Sequence, residues 1–293
     1  MTPVIKLSAA LLVGAAFLGW QPAQAQTCST AAWTGNPVGN AAAGTTPAVR
    51  RYSGVCGLTA TLPGGGHVIE STNHDNEGVS APFRARFFVY PAVTGGTVTV
   101  FQAMDADAAG NAVVQVRYDP ANQRFDFLNS ASAVRSTTGT APPNRWYRVT
   151  VEYQANQPIT GSVRGNGGVN YPLGAAVINA GAAGVQAVRL GAIAGPGTGS
   201  VFVDEYEASR AAMDNATPYS IVIRGDATGD GACNASDITS TANEILFNLI
   251  GTGGGRQRAP GQPDCTEDGA VNAGDITCTA QRIIDALFGT PCN

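Results

Sequence analysis

The chain has almost no lysine and very little histidine. Of its 293 residues, Lys6 is the single lysine, and His67 and His74 are the histidines. Schiff-base chemistry requires a lysine amine, so enzymes of that kind are excluded for the chain beyond its first residues. A Ser-His-Asp hydrolase would have to use one of the two histidines, and the sequence contains no Gly-x-Ser-x-Gly elbow.

Charge is scarce as well, since charged residues make up only 13% of the chain. Without Lys6, 16 arginines stand against 21 acidic residues, which gives a net charge of about −5. This mild acidity, with no polybasic run, argues against nucleic acid and against a basic membrane-binding patch. The 37 glycines and the few charges are typical of a secreted, β-rich protein.

Long apolar runs are missing except at the start of the chain. Lys6 precedes the apolar run 7–20, and Ala23–Gln24–Ala25 supplies the small residues that a signal peptidase requires. The run is too short for a membrane anchor. Residues 1–25 are therefore predicted to be a signal peptide, the protein to be secreted or attached to a cell surface, and no membrane span to follow.

Six cysteines are present, and secretion determines their interpretation. In an oxidising compartment an even number favours disulfides over metal thiolates or catalytic thiols. Two lie at the front, which predicts a Cys28–Cys56 bridge. The other four lie near the C-terminus, and sequence alone leaves all three of their connectivities open. They are Cys233, Cys265, Cys278 and Cys292.

Two stretches near the C-terminus follow one twelve-residue pattern, beginning at Asp226 and at Asp264. In each, oxygen-bearing side chains stand at places 1, 3, 5, 9 and 12, with glycine at place 6 and alanine at place 7. This spacing suits a hard cation such as Ca²⁺, because side-chain oxygens and the carbonyl at place 7 can surround one ion while the glycine makes the turn.

An apolar stripe with helical spacing follows each loop, and every stripe residue recurs 38 positions later, as the loops do. The first stripe is Ile238, Ile245, Leu246, Leu249 and Ile250, and the second is Ile276, Ile283, Ile284, Leu287 and Phe288. Two loop matches at a fixed offset, each followed by the same helix face, predict two bound Ca²⁺ ions. Place 12 is Asp237 or Asp275, where the common EF-hand has glutamate.

A doubled loop closed by aspartate, with one helix after each copy, resembles a type I dockerin over residues 224–288. The resemblance implies a calcium-folded module that docks onto a cohesin-like protein through places 10 and 11 and along the helix. Those places are Ala235–Ser236 and Ala273–Gly274. The ligands it implies are Asp226, Thr228, Asp230, Ala232 (carbonyl), Asn234 and Asp237 in the first loop, and Asp264, Thr266, Asp268, Ala270 (carbonyl), Asn272 and Asp275 in the second.

Residues 52–209 show short β-branched and aromatic runs separated by Gly, Pro, Asn and Asp, with no helical period. The run 147–153 alternates apolar and polar residues, which indicates a sheet with one buried face. These features predict an antiparallel β-sandwich of the jelly-roll kind. The predicted strands are Phe83–Tyr90, Thr97–Ala103, Val113–Tyr118, Arg124–Leu128, Tyr147–Tyr153, Val185–Leu190 and Val201–Glu207.

The runs 145–151, 188–192 and 199–206 resemble the last strands of laminin-G-like or concanavalin-A-like jelly rolls. That superfamily includes carbohydrate-binding modules, lectins and some glycosidases, so the resemblance implies a possible glycan ligand. Fold alone does not determine function. Aromatic side chains can stack on sugar rings, although packing is the favoured role of Trp146. The candidates for such stacking are Trp33, Trp146, Tyr118, Tyr147 and Tyr171.

No catalytic constellation is recognisable in the predicted sandwich. A retaining glycosidase needs two carboxylates about 5 Å apart, whereas Asp204 and Glu205 are adjacent and would point to opposite faces of a strand. They are predicted to be edge or surface carboxylates. The polar cluster 73–77 and the pair Asp105 and Asp107 are more typical of turns than of ligand sites.

The predicted organisation is a signal peptide at 1–25, a β-sandwich at 26–210, a linker at 211–223 and a dockerin-like calcium-binding module at 224–293. The predicted function is attachment, through a cohesin-like or surface partner, of a sandwich that binds extracellular polysaccharide. Two alternatives are a polysaccharide-degrading enzyme and a structural subunit of an extracellular matrix or filament.

Overall fold

The computed structural model describes two antiparallel β-sheets followed by a helical C-terminal region. The residues described are 28–31, 33–44, 50–71, 81–106, 110–130, 134–136, 139–165, 170–173, 183–210, 213, 223–230, 232–251 and 258–289. The predicted signal peptide lies outside them, as does the predicted linker apart from Met213 and Ile223.

The described part of the chain forms fourteen strands. They are β1 Val38–Gly39, β2 Ala42–Gly44, β3 Gly57–Leu62, β4 Gly66–Ser71, β5 Phe83–Thr94, β6 Val98–Met104, β7 Ala112–Asp119, β8 Arg124–Asn129, β9 Val134–Ser136, β10 Tyr147–Tyr153, β11 Thr160–Arg164, β12 Asn170–Pro172, β13 Ala187–Ala194 and β14 Thr198–Ser209. The first sheet has the order β1-β4-β13-β6-β7-β8-β9, and the second has the order β12-β11-β10-β5-β14-β3-β2. The predicted mostly β, antiparallel sandwich is confirmed.

The register of β10 against β5 shows why the alternating pattern folds this way. Val149 lies opposite Phe87 and Val151 lies opposite Ala85, and all four are buried in the core between the sheets. The residues that alternate with them on β10 are less buried: Thr150 is partly buried and Glu152 is exposed. All seven runs predicted as strands lie in strands, with ends displaced by a few residues.

Strand β5 departs from simple alternation because both of its faces are covered. Phe87 and Val89 point into the core between the sheets, while Phe88 and Tyr90 belong to a second buried cluster on the outer face. The sequence of a strand that is buried on both faces is a continuous apolar run rather than an alternation of apolar and polar residues. The C-terminal region covers that outer face.

Disulfides cross-link the chain near its first strands and in its C-terminal region. Cys28 is bonded to Cys56, as predicted, and Cys265 is bonded to Cys278. Cys233 is also in a disulfide. The second bridge joins the start of the second loop to the helix that follows it, so it resolves part of the connectivity that sequence left open.

Two helices complete the described chain, α1 at Ala235–Ile250 and α2 at Ala273–Leu287. The apolar stripe predicted for each is only partly buried, since Leu249, Leu287 and Phe288 are 73%, 79% and 86% exposed. Neither helix has the length and apolar character needed to cross a membrane.

Candidate metal centre

The first loop, residues 226–237, brings two carboxylates and a hydroxyl group together. Asp226 and Asp237 are fully buried. The Oγ1 atom of Thr228 lies 3.3 Å from Asp226 Oδ1 and 2.9 Å from Asp237 Oδ1. Places 1, 3 and 12 of the pattern therefore surround one point.

The second loop, residues 264–275, repeats this arrangement. Thr266 Oγ1 lies 3.4 Å from Asp264 Oδ1 and 2.9 Å from Asp275 Oδ1. The Thr266 amide also donates to Asp275 Oδ1 at 2.9 Å, and the Gly269 amide donates to Asp264 Oδ2 at 2.7 Å. The 38-residue repeat in sequence is thus a repeat in geometry.

The acidic side chain at place 5 lies outside this group in both loops. Asp230 and Asp268 are exposed. Their Oδ1 atoms accept from the amides of Ala232 and Ala270, each at 2.9 Å. The described hydrogen bonds join places 1, 3 and 12 and do not include the place-5 carboxylate, although the charge of Asp268 contributes to the raised pKa of both Asp264 and Asp275.

The asparagine at place 9 and the aspartate at place 12 both shape the start of a helix. Asn234 caps α1 and Asn272 caps α2, each by accepting an amide hydrogen bond two residues ahead. The Oδ2 atoms of Asp237 and Asp275 accept from the backbone amides of these asparagines, both at 2.8 Å. This reciprocal capping box ties each loop to its helix.

Oxygen donors at places 1, 3 and 12 fit a hard divalent cation. Among the described residues, no three His, Cys, Asp or Glu side chains lie close enough to form a metal site on their own. Each loop supplies two buried carboxylates and a hydroxyl, and Ca²⁺ accepts six to eight oxygens that include carbonyls and water. Burial, with the charge of Asp275 adding to it, raises the pKa of Asp264 to about 8, and burial raises the pKa of Asp275. A bound cation would offset the cost of ionising both.

The second loop also packs against the outer face of the second sheet. Tyr52 donates a 2.9 Å hydrogen bond to Glu267 Oε1, and Tyr90 donates a 3.3 Å hydrogen bond to the Asp268 carbonyl. The approach is so close that a Cβ atom added at Gly269 would lie 2.1 Å from the Tyr90 ring. The loop is therefore part of an interface within the chain.

The sandwich side of this interface is an aromatic patch, which consists of Tyr52, Phe88, Tyr90, Trp146 and Phe202. The rings of Tyr52 and Phe88 stack with centroids 3.6 Å apart, and Tyr90 meets Trp146 edge-on at 5.5 Å. Trp146 is 2% exposed. Its predicted packing role is confirmed, although it packs beneath the C-terminal region and not between the sheets.

A buried charge cluster anchors helix α1 to the same face of the sandwich. Arg51 NH2 lies 3.0 Å from Glu244 Oε2, and both side chains are nearly inaccessible. Arg258 Nε lies 3.8 Å from Glu244 Oε1, and the Ala259 amide donates to Glu244 Oε2 at 2.7 Å. Arg51 NH1 also donates to the Gly261 carbonyl at 3.2 Å. One carboxylate thus joins α1 to two arginines from distant parts of the chain.

Asp204 positions the segment that carries Arg51 and Tyr52. It lies where the register of β14 shifts, and its Oδ2 accepts from the amides of Tyr52 at 2.6 Å and Ser53 at 3.0 Å. Burial and the neighbouring Glu205 charge raise the pKa of Asp204 to about 7. The prediction that Asp204 is only an edge or surface carboxylate missed this role, for which sequence offers no local signal.

The other predicted polar sites contribute less. Asp105 accepts the Asn111 amide at 2.7 Å, which is the turn geometry expected for it. Asp107 and the cluster 73–77 lie outside the described residues. Of the aromatic candidates for sugar stacking, Tyr118 and Tyr147 are buried in the core, whereas Trp33 and Tyr171 are only partly buried. Burial lowers the pKa of His67, and the Arg189 charge adds to this effect.

No protein-family model matches the chain, and no curated protein sequence matches it. Among solved structures, it is similar to a mutant Trypanosoma rangeli sialidase with trans-sialidase activity, at 17% identity and a TM-score of 0.42, over 61% of this chain and 28% of that one. It is also similar to the binding domain of botulinum neurotoxin serotype D/C, at 12% identity and a TM-score of 0.43, over 64% of this chain and 48% of that one. The chain therefore spans less than half the length of either structure, and the fold assignment rests on the sheet order given above.

Proposed function

We propose that this protein binds two Ca²⁺ ions through a dockerin-like C-terminal region and thereby attaches a β-sandwich to an extracellular partner. The observation that carries the proposal is the repeated group of two buried carboxylates bridged by a threonine hydroxyl, at Asp226 and Asp237 and again at Asp264 and Asp275. Two neighbouring carboxylates are costly to ionise in a protein interior even when they accept backbone hydrogen bonds, and a divalent cation is the ordinary compensation.

Within each loop, the residues at places 1, 3 and 12 would hold the ion, with the carbonyl at place 7 as a further ligand. When bound, the ion supplies a cross-link between the loop and the first turn of its helix. The chain's own contribution is to fix the place-12 aspartate by the capping box before the ion arrives. Because a preformed site rarely exists in an unfolded chain, binding free energy becomes folding free energy.

The surface proposed for a cohesin-like partner comprises places 10 and 11 of the loops and the exposed apolar residues of the two helices. Residues 235–236 and 273–274, at places 10 and 11 of the loops, are exposed. Contiguous exposed apolar side chains are typical of interaction sites. The exposed large side chains are Leu246, Leu249, Ile250, Ile284, Leu287 and Phe288.

Calorimetric titration of the calcium-free protein tests the metal part of this proposal. The expected result is two ions bound per chain and a higher melting temperature. Asp237→Asn and Asp275→Asn should each remove one ion, whereas Asp285→Asn, on α2 outside both loops, should remove none. Absence of calcium heat and of any thermal shift would contradict the assignment.

A pull-down with a panel of cohesin domains tests the partner. Binding is expected in calcium and not in chelator, and Leu249→Glu should abolish it because a charge would enter the apolar contact. Thr277→Glu, at an exposed polar site on α2, serves as the control. Capture that persists in both chelator and Leu249→Glu would place the contact elsewhere.

The sandwich is proposed to bind extracellular polysaccharide, with the partly buried Trp33 and Tyr171 as the remaining aromatic candidates. A glycan array on the whole chain tests this role, and silence across neutral and acidic glycans would remove it. One observation favours a structural role as a second candidate, namely that the buried Arg51–Glu244 pair joins the sandwich and α1 into one unit. Calcium-dependent self-assembly, followed by light scattering, would support that alternative.

A further inference from the structure

A cleft of about 570 Å³ lies between the second sheet and the C-terminal region. Its sheet side includes Ser200 and Phe202 of β14, and its C-terminal side includes Glu244 and Asn248 of α1 together with Gln262. The volume of this cleft lies in the range of small-molecule sites.

Positive charge dominates the cleft. Arg50, Arg51 and Arg258 line it, and the carboxylates that line it are Glu244 and Asp264. Glu244 is shared by Arg51 and Arg258, with N···O distances of 3.0 and 3.8 Å. Asp264 belongs to the second loop, where its carboxylate accepts backbone hydrogen bonds. One guanidinium group therefore remains without a carboxylate.

That guanidinium group belongs to Arg50. Its Cζ atom lies 4.6 Å from the centroid of the Tyr90 ring and 5.9 Å from that of Phe202. No carboxylate of the described residues pairs with it, and its side chain is only partly buried. Stacking on an aromatic ring holds a guanidinium plane in place. The Arg50 side chain also hydrogen-bonds to Tyr90, and the other N–H donors of its guanidinium group can serve an anion.

Two amide side chains on the opposite wall have unused hydrogen-bonding capacity. Gln262 is fully buried, and its Oε1 accepts from the Asp264 amide at 3.1 Å, which fixes the orientation of the side-chain amide. Its Nε2 donor then has no acceptor among the described residues. Asn248 Oδ1 is a buried acceptor with no donor among the same residues. The cleft thus offers a donor to an anion and an acceptor to a hydroxyl group.

We propose that this cleft binds an acidic saccharide of one or two rings, whose carboxylate pairs with Arg50. The ligand needs an anionic group for Arg50, hydroxyl groups for Asn248 and a ring that fits against Phe202, and uronic acids have all three. Inorganic phosphate has the charge but lacks the ring. This inference rests on the proposed glycan binding, assigns a site to this cleft rather than to Trp33 or Tyr171, and specifies which class of glycan it selects.

Calorimetric titration of the full chain in calcium tests the inference with digalacturonic acid and with its methyl ester as the matched neutral ligand. The acid is expected to bind at least about tenfold more tightly than the ester, because a charge-assisted guanidinium–carboxylate pair is lost with the charge. Arg50→Ala should reduce affinity for the acid by roughly tenfold or more and leave affinity for the ester unchanged. Arg164→Ala, an exposed arginine on β11, should change neither.

Each outcome separates this inference from the broader one. Equal affinity for acid and ester, or acid binding that Arg50→Ala leaves intact, overturns the assignment of the cleft while glycan binding itself survives. Absence of binding by either ligand, together with a silent glycan array, removes both. Arg50→Lys adds a further check, because it keeps the charge but lacks the planar fork. It is expected to restore only part of the affinity.

Discussion

The two twelve-residue loops have nearly the same sequence pattern but different surroundings. The second loop, 264–275, lies against the sandwich through Glu267, Asp268 and Gly269. The first loop, 226–237, instead packs against the connection that precedes the second loop, with the Gly261 amide donating to the Ala227 carbonyl at 3.0 Å. One copy of the motif therefore contacts the sandwich, and the other contacts the connection between the two repeats.

The two repeats carry different residues at some equivalent positions, and these differences match their surroundings. Cys265 and Cys278 form a disulfide in the second repeat. Their equivalents 38 residues earlier are Ala227 and Ser240, where the serine hydroxyl donates to the alanine carbonyl at 3.1 Å. The same junction between loop and helix is thus covalent in one repeat and hydrogen-bonded in the other.

Place 4 of the loop shows that the second repeat has a strained backbone where it contacts the sandwich. Gly229 and Glu267 occupy this place, and both have positive φ, 72° and 56°. Glycine adopts this conformation freely, whereas a glutamate there is strained. Glu267 uses its position to accept a hydrogen bond from Tyr52. The comparison indicates that the second repeat accepts backbone strain in exchange for contact with the sandwich.

The largest effect is expected when both loops lose their first ligand. Asp226→Ala combined with Asp264→Ala should unfold the two helices and leave the sandwich folded, since the metal supplies folding free energy to the C-terminal region. Hydrogen exchange should show lost protection in α1 and α2 and retained protection in β5 and β10. Equal protection in the variant and the parent chain would contradict this prediction.

The single variants sharpen the comparison between the repeats. Asp264→Ala should expose the aromatic patch, and the fluorescence of the patch residue Trp146 should shift to the red. Asp226→Ala should leave that emission largely unchanged, because the first loop does not contact the patch. Identical shifts in the two variants would contradict the conclusion that only the second loop contacts the aromatic patch.

The next effect concerns the anchor of the first repeat. Glu244→Ala leaves Arg51 and Arg258 buried without their shared carboxylate and should cost about 3–5 kcal/mol of unfolding free energy. The equivalent residue in the second repeat is Arg282, which is less buried. Arg282→Ala should cost about 1 kcal/mol or less. Urea unfolding of both variants provides the measurement, and similar costs would argue against an anchor at Glu244.

A smaller effect is expected from the close approach of the second loop to Tyr90. Gly269→Ala places a methyl group against the ring at a position with φ of 82°, and should cost roughly 2–4 kcal/mol. Gly229→Ala in the first loop also has positive φ, but its nearest neighbour is 3.4 Å away, so about 1 kcal/mol is expected. If thermal unfolding gives equal losses, the loop does not pack as closely as described.

The last prediction concerns the dependence of stability on pH. The pKa of Asp264 is raised to about 8 and that of Asp204 to about 7, so between pH 4 and pH 8 the folded chain holds more protons than the unfolded one. In chelator, unfolding free energy should therefore fall as pH rises through this window. The expected result is a melting temperature that is lower at pH 8 than at pH 5.

Calcium should alter this profile through the second loop. A bound ion would replace the proton at Asp264. The contribution of Asp264 to the decline in unfolding free energy should then vanish, while the contribution of Asp204 remains. Asp204→Asn should remove the remainder. A melting temperature that rises with pH in chelator would contradict the raised pKa values.

Local patterns were enough to predict much of this molecule. The alternation of 147–153 predicted β10, and the spacing of oxygen-bearing residues predicted the loops whose places 1, 3 and 12 converge. No local pattern indicates that Arg258, Ala259 and Gln262, in the connection between α1 and the second loop, are buried. These residues are buried because they pack against Glu244 and the first loop. The spacing of residues within the connection does not indicate either contact.

The contacts between the sandwich and the C-terminal region were decided by tertiary structure. Tyr52 and Glu267 are 215 residues apart, and nothing near either residue in the chain indicates the other. Periodicity and ligand spacing are properties of neighbouring residues, so they can be recognised in sequence. Which face of β5 is covered, and by which repeat, depends on how complete surfaces fit, and that fit exists only once both parts have folded.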